Sequence, residues 1–169
     1  MYRELSDLAY RQPCRNTKES IMRKILFLVL AIMLTACSAI QPKSEVDRAR
    51  DKWQNANIAH YRFHLFIGCF CAYTQDMPLI VEVKDGEVVS MKYQSGKEIE
   101  SGNVEYFQRF ATIDKIFDEL KKDLDGAADK VTVEYDETYG FPKQVSIDYI
   151  QQAADDELGL TVSEFEKLP

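Results

Sequence analysis

From residue 44 onward the chain alternates between two hydrophobic rhythms. Val46, Ala49, Arg50, Trp53 and Ala56 fall at helical spacing, Ser44 stands where an N-cap belongs, and Glu45 and Asp47 put negative charge in the first turn. The pattern predicts a helix to about Ile58, with Trp53 as its packing anchor. From His60 to Cys71 the period drops to two: Tyr61, Phe63, Leu65, Ile67, Cys69 and Cys71 share one face, and His60, Arg62, His64, Phe66, Gly68 and Phe70 share the other. That is a long strand with its apolar face inward. Tyr73–Met77 is a connection ended by Pro78, and Leu79–Val83 and Val88–Tyr93 flank the turn signal Asp85-Gly86. A two-residue turn would pair Val81 with Ser90 and bring polar groups onto the core face. The register expected is therefore a three-residue loop, Lys84-Asp85-Gly86, pairing Val81 with Val89 and Leu79 with Met91.

Gln94–Gly102 is polar and reads as a loop, and Val104–Phe110 holds a short helical turn. Thr112 then caps the clearest helix of the chain, with Ile113, Ile116, Phe117, Leu120 and Leu124 on its apolar stripe, acids early, Lys121-Lys122 late, and Gly126 as its stop. Val131, Val133 and Tyr135, then Val145, Ile147 and Tyr149, alternate with polar residues around Tyr139-Gly140-Phe141-Pro142, a second hairpin with one wet face. Gln151–Glu157 is polar, and Leu160–Phe165 reads as a final edge strand. Strands with one apolar face and helices with one apolar stripe combine most economically as an α+β domain: an antiparallel sheet of five or six strands with two main helices packed on one face. The two helix-then-hairpin units suggest a duplicated architecture, without a residue-level repeat.

Upstream the pattern changes. Ile25–Leu34 is an unbroken apolar run of ten residues directly after Met22-Arg23-Lys24. It is too short for a membrane-crossing helix, which takes about 20 residues, and right for the h-region of a secretory signal. The next residues, Leu34-Thr35-Ala36-Cys37, resemble the bacterial lipobox, a branched apolar residue and two small ones before a cysteine. That resemblance implies acylation of Cys37 and cleavage just before it. The organisation expected is an over-extended N-terminus over 1–21, a lipoprotein signal over 22–36, a tether over 37–43 and a single domain over 44–169. Ser38, in place of the aspartate that retains many lipoproteins at the inner membrane, favours a bacterial outer membrane and its periplasmic side.

Composition narrows the function classes. The 169 residues are 46% hydrophobic, enough for a core, with a net charge of -7. Removing residues 1–36, with six basic and three acidic side chains, leaves 15 basic against 25 acidic, a net charge of -10. Such a surface repels nucleic acid and anionic lipid alike, so the lipid on Cys37 is what would hold the domain at a membrane. No nucleophile elbow, His-Glu-x-x-His or phosphate loop occurs, and no catalytic residue or cofactor is assigned.

Cys69 and Cys71 are the sharpest chemical pair. In an exported chain with Cys37 acylated they have no other partner, yet residues two apart in a strand lie near the upper limit of disulfide geometry, so a bond needs a local bend, which Gly68 would permit. Three states stay open: a disulfide, two buried thiols, or a thiol-redox or Cu(I) site. His60 and His64, on the opposite strand face, do not converge with them on a tetrahedral metal centre and read as half-exposed strand residues. Asp155-Asp156-Glu157, with Asp148, offers oxygen ligands for Ca²⁺ but not at the spacing of an EF-hand, and adjacent acids more often mark a solvated turn.

Trp53, Tyr61-Arg62-Phe63, Cys69-Phe70-Cys71, Asp85-Gly86, Tyr139-Gly140-Phe141-Pro142, Ile147-Asp148 and Asp155-Asp156-Glu157, in this order, make the chain similar to a bacterial domain-of-unknown-function family of small secreted proteins and lipoproteins. Phe141 fills a slot that is often Tyr there. The resemblance, over about residues 50–163, carries no activity with it. The function expected is that of a lipid-anchored envelope protein, a non-enzymatic binding or structural module whose partner is another envelope protein or a small ligand. The alternative is a thiol-redox or copper-handling periplasmic protein using Cys69 and Cys71.

Overall fold

Ser44 caps the first helix: its hydroxyl accepts the Asp47 N–H at 3.2 Å, and helix α1 runs over Glu45–Asn55. The computed structural model describes residues 21–22 and 42–169, and Lys43–Pro169 form one compact unit. After α1 come β1 (His60–Gly68), a 3-10 turn (Ala72–Asp76), β2 (Leu79–Lys84) and β3 (Glu87–Tyr93). Two helices follow, α2 (Ser101–Gln108) and α3 (Ile113–Lys122), then β4 (Lys130–Tyr135), β5 (Pro142–Asp148) and β6 (Glu157–Lys167). The six strands make one antiparallel sheet in the order β3-β2-β1-β6-β5-β4, an open α+β architecture. Each half is a helical segment followed by a three-stranded meander, and the meanders run in the same sense across the sheet.

One face of the sheet carries the core. Tyr61, Phe63, Leu65 and Ile67 of β1, Leu79, Val81 and Val83 of β2, and Leu158, Leu160 and Val162 of β6 pack with Val46, Ala49 and Trp53 of α1, Phe107 of α2 and Ile113, Ile116, Phe117 and Leu120 of α3. Full burial of each Val, Leu, Ile or Phe among them is worth about 1.5–3 kcal/mol, which makes this shared layer the main source of stability. Thr112 caps α3 through the Lys115 N–H at 3.1 Å, and the buried Tyr61 hydroxyl accepts the adjacent Ile113 N–H at 3.2 Å, so β1 itself satisfies one of the helix's free N-terminal donors. The opposite face is half-exposed and largely polar.

Five local expectations are corrected. The β2–β3 hairpin turns on two residues, Asp85 and Gly86, both at positive φ, and not on three; an extra residue, Val89, then bulges out of β3. The bulge pairs Val83 with Val88, Val81 with Met91 and Leu79 with Tyr93, so the tight turn is kept and apolar side chains still meet. Strand β1 ends at Gly68, and Cys69 and Cys71 lie beyond it in a turn, not on its inner face. The segment read as a short turn is a two-turn helix beginning at Ser101. The α-helical stripe of α3 stops at Lys122, and a wider turn over Asp123–Ala127 swings Leu124 out to an exposed position. The last strand is longer than Leu160–Phe165 and central: it lies between β1 and β5, because Leu158, Leu160 and Val162 are inward and both its edges find partners.

Candidate functional site

Cys37, the proposed lipid acceptor, lies outside the described residues. Cys69 and Cys71 are joined by a disulfide with α-carbons 5.2 Å apart. The approach comes from a tight turn in which the Cys71 N–H donates to the Cys69 carbonyl at 2.8 Å, so the bend sits at the cysteines themselves. The Thr74 hydroxyl donates to the same carbonyl at 3.0 Å, and the Tyr73 hydroxyl lies 3.1 Å from Cys69 Sγ. Tyr73 packs edge-on to Phe107 at 4.9 Å, and burial with neighbouring Tyr106 raises its phenol pKa. Phe70, between the cysteines, is 85% exposed. The pair is thus a half-exposed clasp on an aromatic base with a phenyl ring held in solvent.

The other candidates are dispersed. His60 Nε2 lies 2.9 Å from Glu82 Oε1 and its Nδ1 2.8 Å from the Pro169 carbonyl oxygen, and the Glu82 carboxylate raises the pKa of the ring. His64, four residues further along β1, lies on the same open face. Asp148 and Glu157 face each other across β5 and β6, Asp155 takes a left-handed conformation, and both carboxylate oxygens of Asp156 are enclosed without a hydrogen-bond partner in the protein. Among the described residues no three His, Cys, Asp or Glu side chains come together at metal-binding distance.

One feature became visible through the tertiary structure. At the β4 edge the helical layer stops short, and a cleft of about 390 Å³ opens between the start of α1, the turn after α3 and the inner face of β4. Its floor is Val46, Leu124, Val131, Val133 and Tyr135; its rim holds Glu45, Asp47 and Asp125 against Lys121. Tyr135 stacks on Phe117, and burial together with the Glu45 and Asp47 charges pushes its phenol up to about 12. Asp47 is held below the usual carboxylate range, first by the Ser44 hydroxyl, which donates to it at 2.6 Å, and also by Lys121. The sequence carried half the signal, in Val131, Val133 and Tyr135, but strand order decides that β4 is an edge.

The ordered motif residues mostly prove to be fold determinants. Trp53 packs edge-on to Tyr61, Phe141 and Phe165 at ring-centroid distances of 5.3, 6.2 and 5.9 Å, and its indole N–H donates to Asp114 at 3.3 Å. Asp85-Gly86 is a turn, Ile147 is core, and Gly140 lets the β4–β5 connection touch α1. No helix among the described residues is long and apolar enough to cross a membrane. No curated protein and no solved structure matches the chain. The sequence model of a family of unknown function, DUF6174, matches residues 45–167, nearly the whole folded unit, and the chain belongs to that family.

Proposed function

We propose that this protein is a lipid-anchored component of a bacterial cell envelope, held to the membrane through Cys37, whose α+β domain is a non-enzymatic binding or structural module. The observation that carries the reading is the ordered run of Arg23-Lys24, ten apolar residues and Leu34-Thr35-Ala36-Cys37 within sixteen residues. A disulfide between Cys69 and Cys71 fits an oxidising compartment. The acidic surface fits a domain that stands off an anionic bilayer on a short tether, and Ser38 favours the periplasmic leaflet of an outer membrane. The partner is another envelope protein or a small ligand. In cells fed radiolabelled palmitate the full chain should take up label and fractionate with membranes, and Cys37→Ser should do neither. An unlabelled precursor, soluble in the cytoplasm, overturns the anchor and the compartment together.

The half-exposed position of the Cys69–Cys71 turn favours one competing reading, a thiol-redox or copper-handling protein. Intact mass with and without reductant, followed by Cu(I) titration of the reduced chain, separates the two. A stable deficit of two protons and no stoichiometric copper supports the structural disulfide; one tightly held Cu(I), lost in Cys69→Ser, supports metal handling.

A further inference from the structure

We propose that the free edge of β4 and the acidic cleft beneath it accept an extended segment of a partner protein whose inward-facing residues are lysine or arginine. Among the described residues β4 pairs with β5 alone. The Asp129 N–H donates to the Tyr149 carbonyl, which fixes the phase of the ladder: Val131 and Val133 bond to β5, and the backbone N–H and C=O groups of Lys130, Thr132 and Glu134 point to the open edge. Such a row is a template for an added strand. The sheet's other edge differs, because β3 is kinked by the bulge at Val89. Strand β4 carries no extra residue; the irregularity near its end lies on β5, where Lys143 is left over between Gln144 and Pro142.

Beneath this edge the core is unfinished. Val131, Val133 and Tyr135 are half-buried where their β5 neighbours Val145 and Ile147 are fully buried, and Leu124 is 45% exposed. A seventh strand would lay its inward side chains across Leu124 and Val46 toward Glu45 and Asp125. Lysine and arginine fit that path, with aliphatic stems on the apolar floor and charged heads at the carboxylates. Lys121, the basic residue of the lining, is already engaged with Asp47 at 4.0 Å. The inference rests on the binding-module reading but not on the lipid anchor, so Cys37→Ser should leave it unchanged.

The test uses the full chain in nanodiscs of zwitterionic lipid and two fluorescent octapeptides, one alternating threonine with lysine and arginine, the other alternating threonine with glutamate. The basic peptide should bind, more weakly as salt rises, and should slow hydrogen exchange at the Lys130, Thr132 and Glu134 amides; the acidic peptide should not bind. Thr132→Pro removes an outward N–H without touching the β5 ladder and should abolish binding. The double variant Glu45→Gln, Asp125→Asn keeps every backbone group and should weaken binding by about three- to tenfold at low salt. No binding of the basic peptide, equal binding of both, or binding unaffected by both variants overturns the proposal. An envelope partner that binds Thr132→Pro as well as the parent chain would leave the binding module standing and the β4 site refuted.

Discussion

Gly140 shows how one residue joins the two layers. It lies at φ 82°, a conformation that costs a side-chain-bearing residue, and a β-carbon there would come within 2.7 Å of the Ala49 carbonyl oxygen and 2.9 Å of Lys52 Cβ on α1. The close approach seats Phe141 against Phe165, with ring centroids 4.8 Å apart, and lets the Lys52 ammonium donate to the Glu137 carbonyl. Gly140→Ala should destabilise the domain by about 2–4 kcal/mol, combining backbone strain with a contact that neither helix nor turn can relieve; urea unfolding measures it, and a loss under about 0.5 kcal/mol would show that the turn is free to move. A second residue-scale prediction concerns pH. Hydrogen bonding to Lys97 holds Glu100 well down, at about 2, and Lys97 also pairs with Asp76 at 2.8 Å. A carboxylate with a depressed folded pKa adds stability above its unfolded value and loses it as pH falls toward 2. Lys97→Met should therefore lower the urea midpoint at pH 6 and converge on the parent chain by pH 2. The pair is exposed, so the difference will be small.

At the scale of elements, hydrophobic periodicity made most strands and helices legible; what it hid was where the phase slips, in β3 and β6, and where an in-phase series runs past the end of its element, as at Cys69, Cys71 and Leu124. Strand β2 and most of β1 alternate without interruption and lie where alternation puts them. In β3 the inward residues are Val88, Met91 and Tyr93, and in β6 they are Leu158, Leu160, Val162 and Phe165; each series skips a beat. A bulge absorbs each skip, at Val89 in β3 and near Glu164, at φ 48°, in β6. Read strictly at period two, β3 yields a wrong register. Deleting Val89 should then be well tolerated, within about 1 kcal/mol, because the remaining residues keep the pairs Val81–Met91 and Leu79–Tyr93 in an unbroken ladder. Deleting Met91 should cost more than about 3 kcal/mol, since it slides Lys92 inward opposite Val81. Equal effects of the two deletions, by circular dichroism and urea denaturation, would refute the bulge register.

For the whole molecule the decisive fact is that the last strand is one of the two central ones. Meanders fold from local turns, and both hairpins are signalled by local residues, Asp85-Gly86 and Tyr139-Gly140-Phe141-Pro142. Nothing local says which strands of the two meanders meet, so the placement of β6 beside β1, and with it the exposure of β4 as an edge and the existence of the cleft, was beyond a reading of the sequence. That pairing closes contacts between residues about 100 positions apart, from Gly68 with Gly159 to Tyr61 with Lys167. The helical layer spans the same seam: Arg50 of α1 pairs with Asp118 of α3 at 2.6 Å, and Trp53 reaches Asp114. With sheet and helices both crossing it, the two halves should unfold together. Leu160, on β6 opposite both Ile67 and Val145, sits at that seam, and Leu160→Ala should cost about 2–5 kcal/mol while leaving a single cooperative transition. Val89→Ala, at an exposed edge position, should change stability by under about 0.5 kcal/mol. Two separate transitions in Leu160→Ala, seen as a mismatch between Trp53 fluorescence and far-ultraviolet dichroism, would mean that each meander stands on its own and that β6 merely docks them.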